Sequence, residues 1–319
     1  MNHMKKILVF LLCAVLVMAA VRIGMFRYQD KPEDFAGMEK WIDLGKEKVQ
    51  QITDDLSGKL SSQDWEIEGA YDIEADKWFE NEGKLYNGSL EYTKLSEGSV
   101  SQLGMALAGC KVVVHSLEGE DFYFSFENMK KVQTSQKDGV LLIKAIRDTV
   151  IEEEKTEAVL NLYIPKNLML QKAEIELGAG NIQVEKLQAE DLEVSVEAGK
   201  MLVNTLIAEN MDLSVGAGTL TIENGVTKNV EISVGAGNLS FNGSVQGNVD
   251  ANCAMGNLQL VLQGDVKDFN YELQCVAGNI ILDGEKNSGI NEGKLIDHAA
   301  HKDMELDCAV GNMKIEFMK

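Results

Sequence analysis

Residues 232–241 read ISVGAGNLSF, and the Gly-Ala-Gly at their centre is the feature that decides the fold. A dinucleotide-binding loop needs a third glycine three residues after the second and a helix behind it, but neither pattern follows here. The tripeptide recurs at 178–180 and 216–218, and degenerate copies end at Gly199, Gly256, Gly278 and Gly311. A phosphate loop is needed only once, so the repetition favours a structural corner.

The last glycine of each copy falls at a regular interval. It lies at positions 180, 199, 218, 237 and 256, which are 19 residues apart, and then at 278 and 311, after steps of 22 and 33. Self-similarity at a fixed period is the signature of a repeat protein. Apolar residues alternate at Ile232, Val234 and Ala236 and then shift by one, to Leu239 and Phe241. A period of two predicts strands, and the shift predicts a corner between two strands that face one core.

Two columns of polar residues accompany the glycines. The column one residue after the glycine reads Asn181, Lys200, Thr219, Asn238, Asn257, Asn279 and Asn312. The column eight residues before it reads Lys172, Asp191, Asn210, Asn229, Asn248, Asn270 and Asp303. Asn tolerates the left-handed backbone region, and stacked Asn side chains can bond to each other. Both columns are therefore predicted to be corners, built with Gly180, Gly199, Gly218, Gly237, Gly256, Gly278 and Gly311.

These patterns predict an all-β fold, a parallel β-solenoid of about seven coils of roughly 19 residues over residues 171–319. Residues 64–170 are predicted to form an irregular β region that caps the N-terminal end. Within it, residues 105–114 resemble an eighth coil, with Gly109 in the glycine position. The chain ends directly after the last strand pattern, so we expect an exposed C-terminal edge and self-association at high concentration.

The N-terminal region predicts a membrane segment at residues 1–27. An apolar run at 7–21 follows two lysines, and it extends to residue 26 if Arg22 snorkels to the interface. A cleaved signal peptide, with Ala19 or Ala20 at the cut, is the alternative. The protein is then either a single-pass membrane protein, held by residues 7–26 with its solenoid outside the cytoplasm, or a secreted one.

Residues 31–62 are predicted to form an amphipathic stalk helix. Their apolar side chains recur at alternating steps of three and four, from Phe35 to Leu56. This spacing is typical of a helix that buries one stripe. The stripe packs either on its own chain or on a second copy.

An acidic column lies six residues before the glycine in every copy. Its members are Glu174, Glu193, Asp212, Glu231, Asp250, Glu272 and Glu305. Strand parity points them outward, and stacking sets neighbours ~5 Å apart, where like charges repel by roughly 1 kcal/mol in water. The column is either a solvated face or a linear site for divalent cations or a cationic peptide. No other cofactor is predicted.

Net charge and cysteine placement narrow the function classes. The net charge of −21 makes nucleic acid a poor partner. Cys253, Cys275 and Cys308 share one inward column three residues before the glycine. They are predicted to be small buried hydrophobes, with a disulfide between two of them as the alternative. No nucleophile and base pair is evident, so we do not expect an enzyme.

A strand ending in LNLYIPKNL at 160–168, followed by G-x-G-N-[IL] repeats behind a membrane segment, resembles the bacterial putative-adhesin β-strand-repeat family, also called toastrack. The resemblance covers roughly residues 100–319. It implies a surface sensor or interaction scaffold linked with Lia-type and phage-shock-type cell-envelope stress systems.

The expected function is a non-enzymatic, membrane-anchored envelope protein that binds a partner or ligand along the rod, with a role in envelope-stress sensing. A self-assembling structural protein or adhesin is the alternative. A polysaccharide-degrading solenoid is a third class, but it would need clustered carboxylates with a basic or aromatic subsite, and no Arg or Trp lies beside the acidic columns in the repeats. Trp41, Trp65 and Trp78 all lie upstream of them.

Overall fold

The computed structural model describes residues 83–96, 98–146, 157–287 and 292–319. The predicted membrane segment at 1–27 and stalk helix at 31–62 lie outside the described residues. Within the described ranges there are 19 strands and one short 3-10 turn, Val266–Asp268, so the all-β prediction is confirmed. None of these residues forms a helix that is long and apolar enough to cross a bilayer.

All 19 strands belong to one hydrogen-bonded sheet. In chain order they are β1 Lys84–Lys94, β2 Gln102–Ala108, β3 Cys110–Leu117, β4 Tyr123–Lys137, β5 Val140–Ile146, β6 Val159–Pro165, β7 Leu170–Leu177, β8 Gly180–Val196, β9 Lys200–Val215, β10 Thr219–Val234, β11 Asn238–Val245, β12 Val249–Cys253, β13 Asn257–Gln263, β14 Phe269–Cys275, β15 Asn279–Leu282, β16 Glu285–Asn287, β17 Glu292–Ile296, β18 Lys302–Cys308 and β19 Asn312–Met318.

The repeats pair in parallel and in the register that the 19-residue period predicts. Strand β8 pairs with β9, β9 with β10, and β10 with both β11 and β12. Val196 therefore lies opposite Val215, and Val215 opposite Val234. The long strands β8, β9 and β10 continue through the corners, and at the N-terminal end the pairings of β8, β7, β2, β5, β4, β6 and β3 form a closed circuit. The inward apolar side chains form one continuous core.

The order of the last two coils differs from the order in the sequence. Strand β18 lies between β12 and β14, and β19 lies between β13 and β15. The coil of Gly311 is therefore inserted between the coils of Gly256 and Gly278. The 22-residue step contains the 3-10 turn, whose N-terminus is capped by the Asp265 side chain. We infer that this extra length lets the coil of Gly278 lie one position further along the stack. The position beside the coil of Gly256 is then free for the coil of Gly311.

The predicted exposed edge at the C-terminal strand is wrong, because β19 has a partner on each side. The end of the stack is instead covered by β17, antiparallel to β14, and by β16, antiparallel to β15. Both covering strands are short and carry charged residues. Short, charged edge strands deter pairing with another chain. The self-association expected from an open C-terminal edge therefore loses that structural basis.

The N-terminal end is built by the same kind of insertion. Strands β2 and β3 pair with β7 and β8 on one side and with β5 and β6 on the other. Strand β4 runs antiparallel to β5 and β6, and β1 covers β4 with three register shifts. Cys110 lies opposite Gly180, so Cys110 and not Gly109 takes the glycine position of this coil.

The corner geometry corrects two expectations. Ala236 is exposed, so the inward series is Ile232, Val234, Gly237 and Leu239. Of the seven corner glycines only Gly180 has a positive φ, and no Asn of the predicted corner columns does among the described residues. The glycines are needed instead because the coils approach closely. A Cβ on Gly237 would lie 2.4 Å from the carbonyl oxygen of Gly218.

Candidate functional site

A groove with a cavity volume of about 670 Å³ runs along one corner of the stacked coils. One wall is the column eight residues before the glycine, and the other is the acidic column. Between the two columns lie Leu192, Met211, Val230 and Val249, whose side chains are buried in the core and at most 4% exposed. We call this feature the acidic groove. Its polar lining is Lys172, Asp191, Glu193, Asn210, Asp212, Asn229, Glu231, Asn248, Asp250, Asp303 and Glu305.

The amide wall of the acidic groove is a hydrogen-bonded ladder, as predicted. The amide of Asn210 donates to Asp191 Oδ1 at 2.9 Å, and that of Asn229 donates to Asn210 Oδ1 at 3.1 Å. The ladder continues with backbone donors: the N–H of Asn248 donates to Asn229 Oδ1, and the N–H of Asp303 donates to Asn248 Oδ1. These amides bond largely to one another, so the free ligand-binding capacity of the groove rests on its carboxylates.

The second Asn column forms a ladder of the same kind. Asn257 donates to Asn238 at 2.8 Å, Asn312 to Asn257 at 3.0 Å, and Asn279 to Asn312 at 2.9 Å. The bonds follow the spatial order of the coils, in which Asn312 lies between Asn257 and Asn279. Coil-to-coil bonding by stacked Asn side chains is thereby confirmed.

The acidic column is in register across seven adjacent strands. Successive partners are Glu174, Glu193, Asp212, Glu231, Asp250, Glu305 and Glu272. Neighbouring carboxylates therefore project from strands about 4.8 Å apart. The structure brings all seven predicted residues together, with the last two in exchanged order.

Burial varies along the column. Asp250, Glu272 and Glu305 are exposed, whereas Asp212 and Glu231 are half-buried. Glu174 is only 2% exposed, so the prediction that every member faces solvent is wrong at this position. Neither carboxylate oxygen of Glu174 has a hydrogen-bond partner. Lys172 Nζ lies 3.6 Å from Glu174 Oε2.

The environment strongly raises the pKa of two carboxyl groups of the acidic column. Burial, followed by the charge of Glu193, raises the pKa of Glu174 to about 8. Burial, followed by the charges of Glu231 and Glu193, raises the pKa of Asp212 to about 6. Since desolvation and like charges both disfavour the ionised form, these carboxyl groups hold protons that isolated ones would lose.

The exchanged coil order also changes which charges lie beside Glu305, near the C-terminal end of the acidic column. Partial desolvation and then the charges of Asp250, Asp307 and Glu272 raise the pKa of Glu305. Asp250 and Glu272 act on Glu305 because they lie on the two strands that flank β18. The chain order alone would have placed Asp250 beside Glu272.

We predict that the protein becomes less stable as the pH rises from about 4.5 to 8. The folded pKa of Glu174 is about 8, against an ordinary value of 4.5. The native state therefore binds more protons than the unfolded state in this window, and stability falls with rising pH. Glu174→Gln should raise the melting temperature at pH 8 and flatten its dependence on pH, as measured by thermal unfolding at several pH values.

The matched control is Glu190→Gln, which neutralises an exposed glutamate outside the column. It should leave the pH dependence of the melting temperature unchanged. Equal pH profiles for the Glu174 and Glu190 variants would contradict the assignment of a buried, protonated Glu174.

No group of three or more His, Cys, Asp or Glu side chains that could hold a metal ion occurs in the described part of the chain. Cys253, Cys308 and Cys275 are buried and not joined by a disulfide, and they lie opposite one another in that order. The Cys308 thiol donates to the carbonyl oxygen of Gly311 at 3.1 Å. The three cysteines therefore pack as small core residues, as predicted.

A row of outward-facing Tyr and His side chains was not predicted from the sequence. Tyr92 on β1, Tyr123 on β4, Tyr163 on β6 and His115 on β3 lie side by side on four adjacent strands. We call this feature the aromatic row. The alternation of DFYFSF and LNLYIP would place each tyrosine outward. Their meeting depends on the out-of-order strand pairing.

The model of the family described as Toastrack DUF4097 matches residues 112–316. The chain belongs to the Toastrack DUF4097 family. A comparison with curated proteins found no match.

Among solved structures, a putative adhesin from Bacteroides fragilis is 13% identical, with 73% of this chain and 97% of that chain covered and a TM-score of 0.39. A putative adhesin from Parabacteroides merdae is 14% identical, with coverages of 74% and 97% and a TM-score of 0.37. A putative lipid binding protein from Parabacteroides distasonis is 12% identical, with coverages of 75% and 98% and a TM-score of 0.33.

Proposed function

We propose that this toastrack protein is a non-enzymatic, membrane-anchored protein outside the cytoplasm whose parallel β-solenoid binds a cationic peptide segment at the cell envelope, as an envelope-stress sensor. The observation that supports it is the acidic groove. Its carboxylates recur on successive strands, in register with one another. A peptide that carries positive side chains at regular intervals complements this row of negative charge.

The solenoid interpretation is supported by the in-register parallel pairing of equivalent residues in successive repeats. Antiparallel strands at the two ends and the closed hydrogen-bond connections depart from a simple stack. Such end strands act as caps, which repeat proteins need for solubility. A capped rod also disfavours the alternative of a self-assembling polymer.

A linear cationic partner fits the groove better than a single ion does. The carboxylates follow one another at about 4.8 Å from strand to strand rather than converging on one point. The amide side chains beside them are occupied in their own ladder. Calcium binding by the acidic column is the alternative, and the experiment below distinguishes it from peptide binding.

The membrane anchor is proposed from residues 7–26, whose apolar run is flanked by basic residues. If the segment is cleaved instead, the same groove would act in a secreted protein.

The test is the melting temperature of the full chain with and without ligand at matched ionic strength. A synthetic peptide of alternating Lys and Leu should raise it by roughly 5–10 °C at a hundredfold excess over its Kd, because a ligand of the native state stabilises by mass action. Asp212→Asn, Glu231→Gln and Asp250→Asn together should abolish this increase. The same triple change should raise the ligand-free melting temperature, because it removes repulsion between neighbouring charges.

The matched control neutralises three exposed glutamates outside the groove, Glu120, Glu127 and Glu190, and should respond to the peptide as the parent does. If calcium raises the melting temperature and the peptide does not, the acidic column binds a divalent cation and not a cationic peptide. A groove variant that still responds fully to the peptide would contradict the proposal.

A further inference from the structure

The acidic column alternates between long and short side chains along the stack of coils. Its successive members on β8, β9, β10, β12 and β18 are Glu193, Asp212, Glu231, Asp250 and Glu305. The glutamate side chain is one methylene longer than that of aspartate, so its carboxylate reaches further out from the sheet. Because neighbouring strands lie about 4.8 Å apart, the longer side chains recur at intervals of about 9.6 Å.

The two aspartates of this alternation are less available to a ligand than the three glutamates. Asp250 Oδ1 accepts a hydrogen bond from Asn252 Nδ2 at 3.1 Å. Burial, followed by the charges of Glu231 and Glu193, raises the pKa of Asp212 to about 6, so this carboxyl group keeps its proton more readily. Within the described part of the chain, none of the three glutamates accepts a hydrogen bond or takes part in an ion pair. The glutamates are therefore the contact points that the groove offers to a positively charged ligand.

The interval between these contact points discriminates among peptide conformations. A polyproline II helix has three residues per turn and rises about 3.1 Å per residue, so every third side chain returns to the same side after about 9.3 Å. From Glu193 to Glu305 the column spans four strand spacings, or about 19 Å. Six residues of polyproline II helix cover about 18.6 Å, whereas four turns of α-helix cover about 21.6 Å. Same-side residues of an extended strand recur after about 6.7 Å, so none lies opposite the middle glutamate.

We propose that the acidic groove selects a peptide segment in the polyproline II conformation that carries a basic residue at every third position, an inference that rests on the proposed function above. Each basic side chain pairs with one of the three glutamates, and the two residues between successive basic residues face away from the column. Those residues need no pocket, which agrees with the burial of the apolar side chains between the two columns. A proline-rich segment holds this conformation before it binds, so little conformational entropy is lost. A linear polyamine, by contrast, would gain nothing from the alternation of long and short side chains.

The test is calorimetric titration of the full chain with two peptides of the same composition at matched ionic strength. One repeats Lys-Pro-Pro five times, and the other carries its five lysines at alternate positions, followed by the remaining prolines. Both have the same charge, and every lysine precedes a proline, which favours the same extended backbone. The repeating peptide should bind at least about tenfold more tightly, because the isomer lacks the middle contact and so loses one charge-assisted hydrogen bond.

A second measurement uses a matched pair of protein variants. Glu231→Asp keeps the charge but withdraws the middle carboxylate, so it should weaken binding of the Lys-Pro-Pro peptide by roughly threefold or more and leave the affinity for the isomer unchanged. Glu223→Asp makes the same change at an exposed glutamate of β10 outside the groove, and it should leave both affinities as in the parent. Equal weakening of both peptides by Glu231→Asp would contradict a role of this side chain in reading the spacing.

The outcomes separate this inference from the proposed function. Equal affinity of the two peptides for the parent protein would overturn the spacing requirement and leave the cationic-peptide function in place. Absence of binding by either peptide at millimolar concentration would overturn both proposals. Tighter binding of spermine than of the Lys-Pro-Pro peptide would overturn the inference and assign the groove to a linear polyamine.

Discussion

Val234→Asp is expected to lower the free energy of unfolding by roughly 3–5 kcal/mol, because it leaves an unpaired charge in the core. Val234 is 2% exposed and lies opposite Val215 on one side and Cys253 on the other. No cation belongs to this inward column, so the carboxylate would either remain uncompensated or take up a proton. Urea denaturation followed by circular dichroism measures the loss.

The control at the same position is Val234→Cys. A cysteine already occupies the equivalent position in the next coil, at Cys253, so this change should cost about 1 kcal/mol or less, as near-isosteric core changes do. A melting temperature for Val234→Asp close to that of the parent would show that the side chain is not confined in the core.

Gly237→Ala is expected to destabilise the fold by roughly 1–3 kcal/mol or more, the usual cost of overpacking. The added Cβ would lie 2.4 Å from the Gly218 carbonyl oxygen and 2.6 Å from Val215 Cγ1. The carbonyl oxygen belongs to the backbone of the neighbouring coil, which pairs on both sides and cannot move aside. Thermal unfolding should show a lowered melting temperature.

Gly178→Ala is the matched control. It changes the first glycine of another Gly-Ala-Gly copy, but its Cβ would meet nothing closer than Ala108 Cβ at 3.7 Å, an ordinary contact. It should therefore leave stability nearly unchanged. Equal losses for the two substitutions would mean that the glycines serve backbone conformation and not close approach.

Much of the site could be predicted from the sequence because the repeat itself encodes register. Residues 19 positions apart occupy equivalent places in adjacent coils, so a column of like residues in the sequence becomes a column in space. The Asn ladders, the cysteine column and the membership of the acidic column were predicted for this reason. Glu174 was misjudged because parity gives the direction of a side chain but not what covers it.

What the sequence by itself determined is local: strands, corners, inward residues and the pairing of each coil with the next while the step remained 19. The tertiary structure alone decided which coil joins which where the step changes. A strand can pair with any free edge in reach of its linker, and the longer steps allow β18 and β19 to enter between earlier strands. The same freedom at the N-terminal end assembles the aromatic row from β1, β3, β4 and β6. Such pairings are chosen by competition among distant strands for hydrogen bonds and apolar cover, and no window of the chain contains that information.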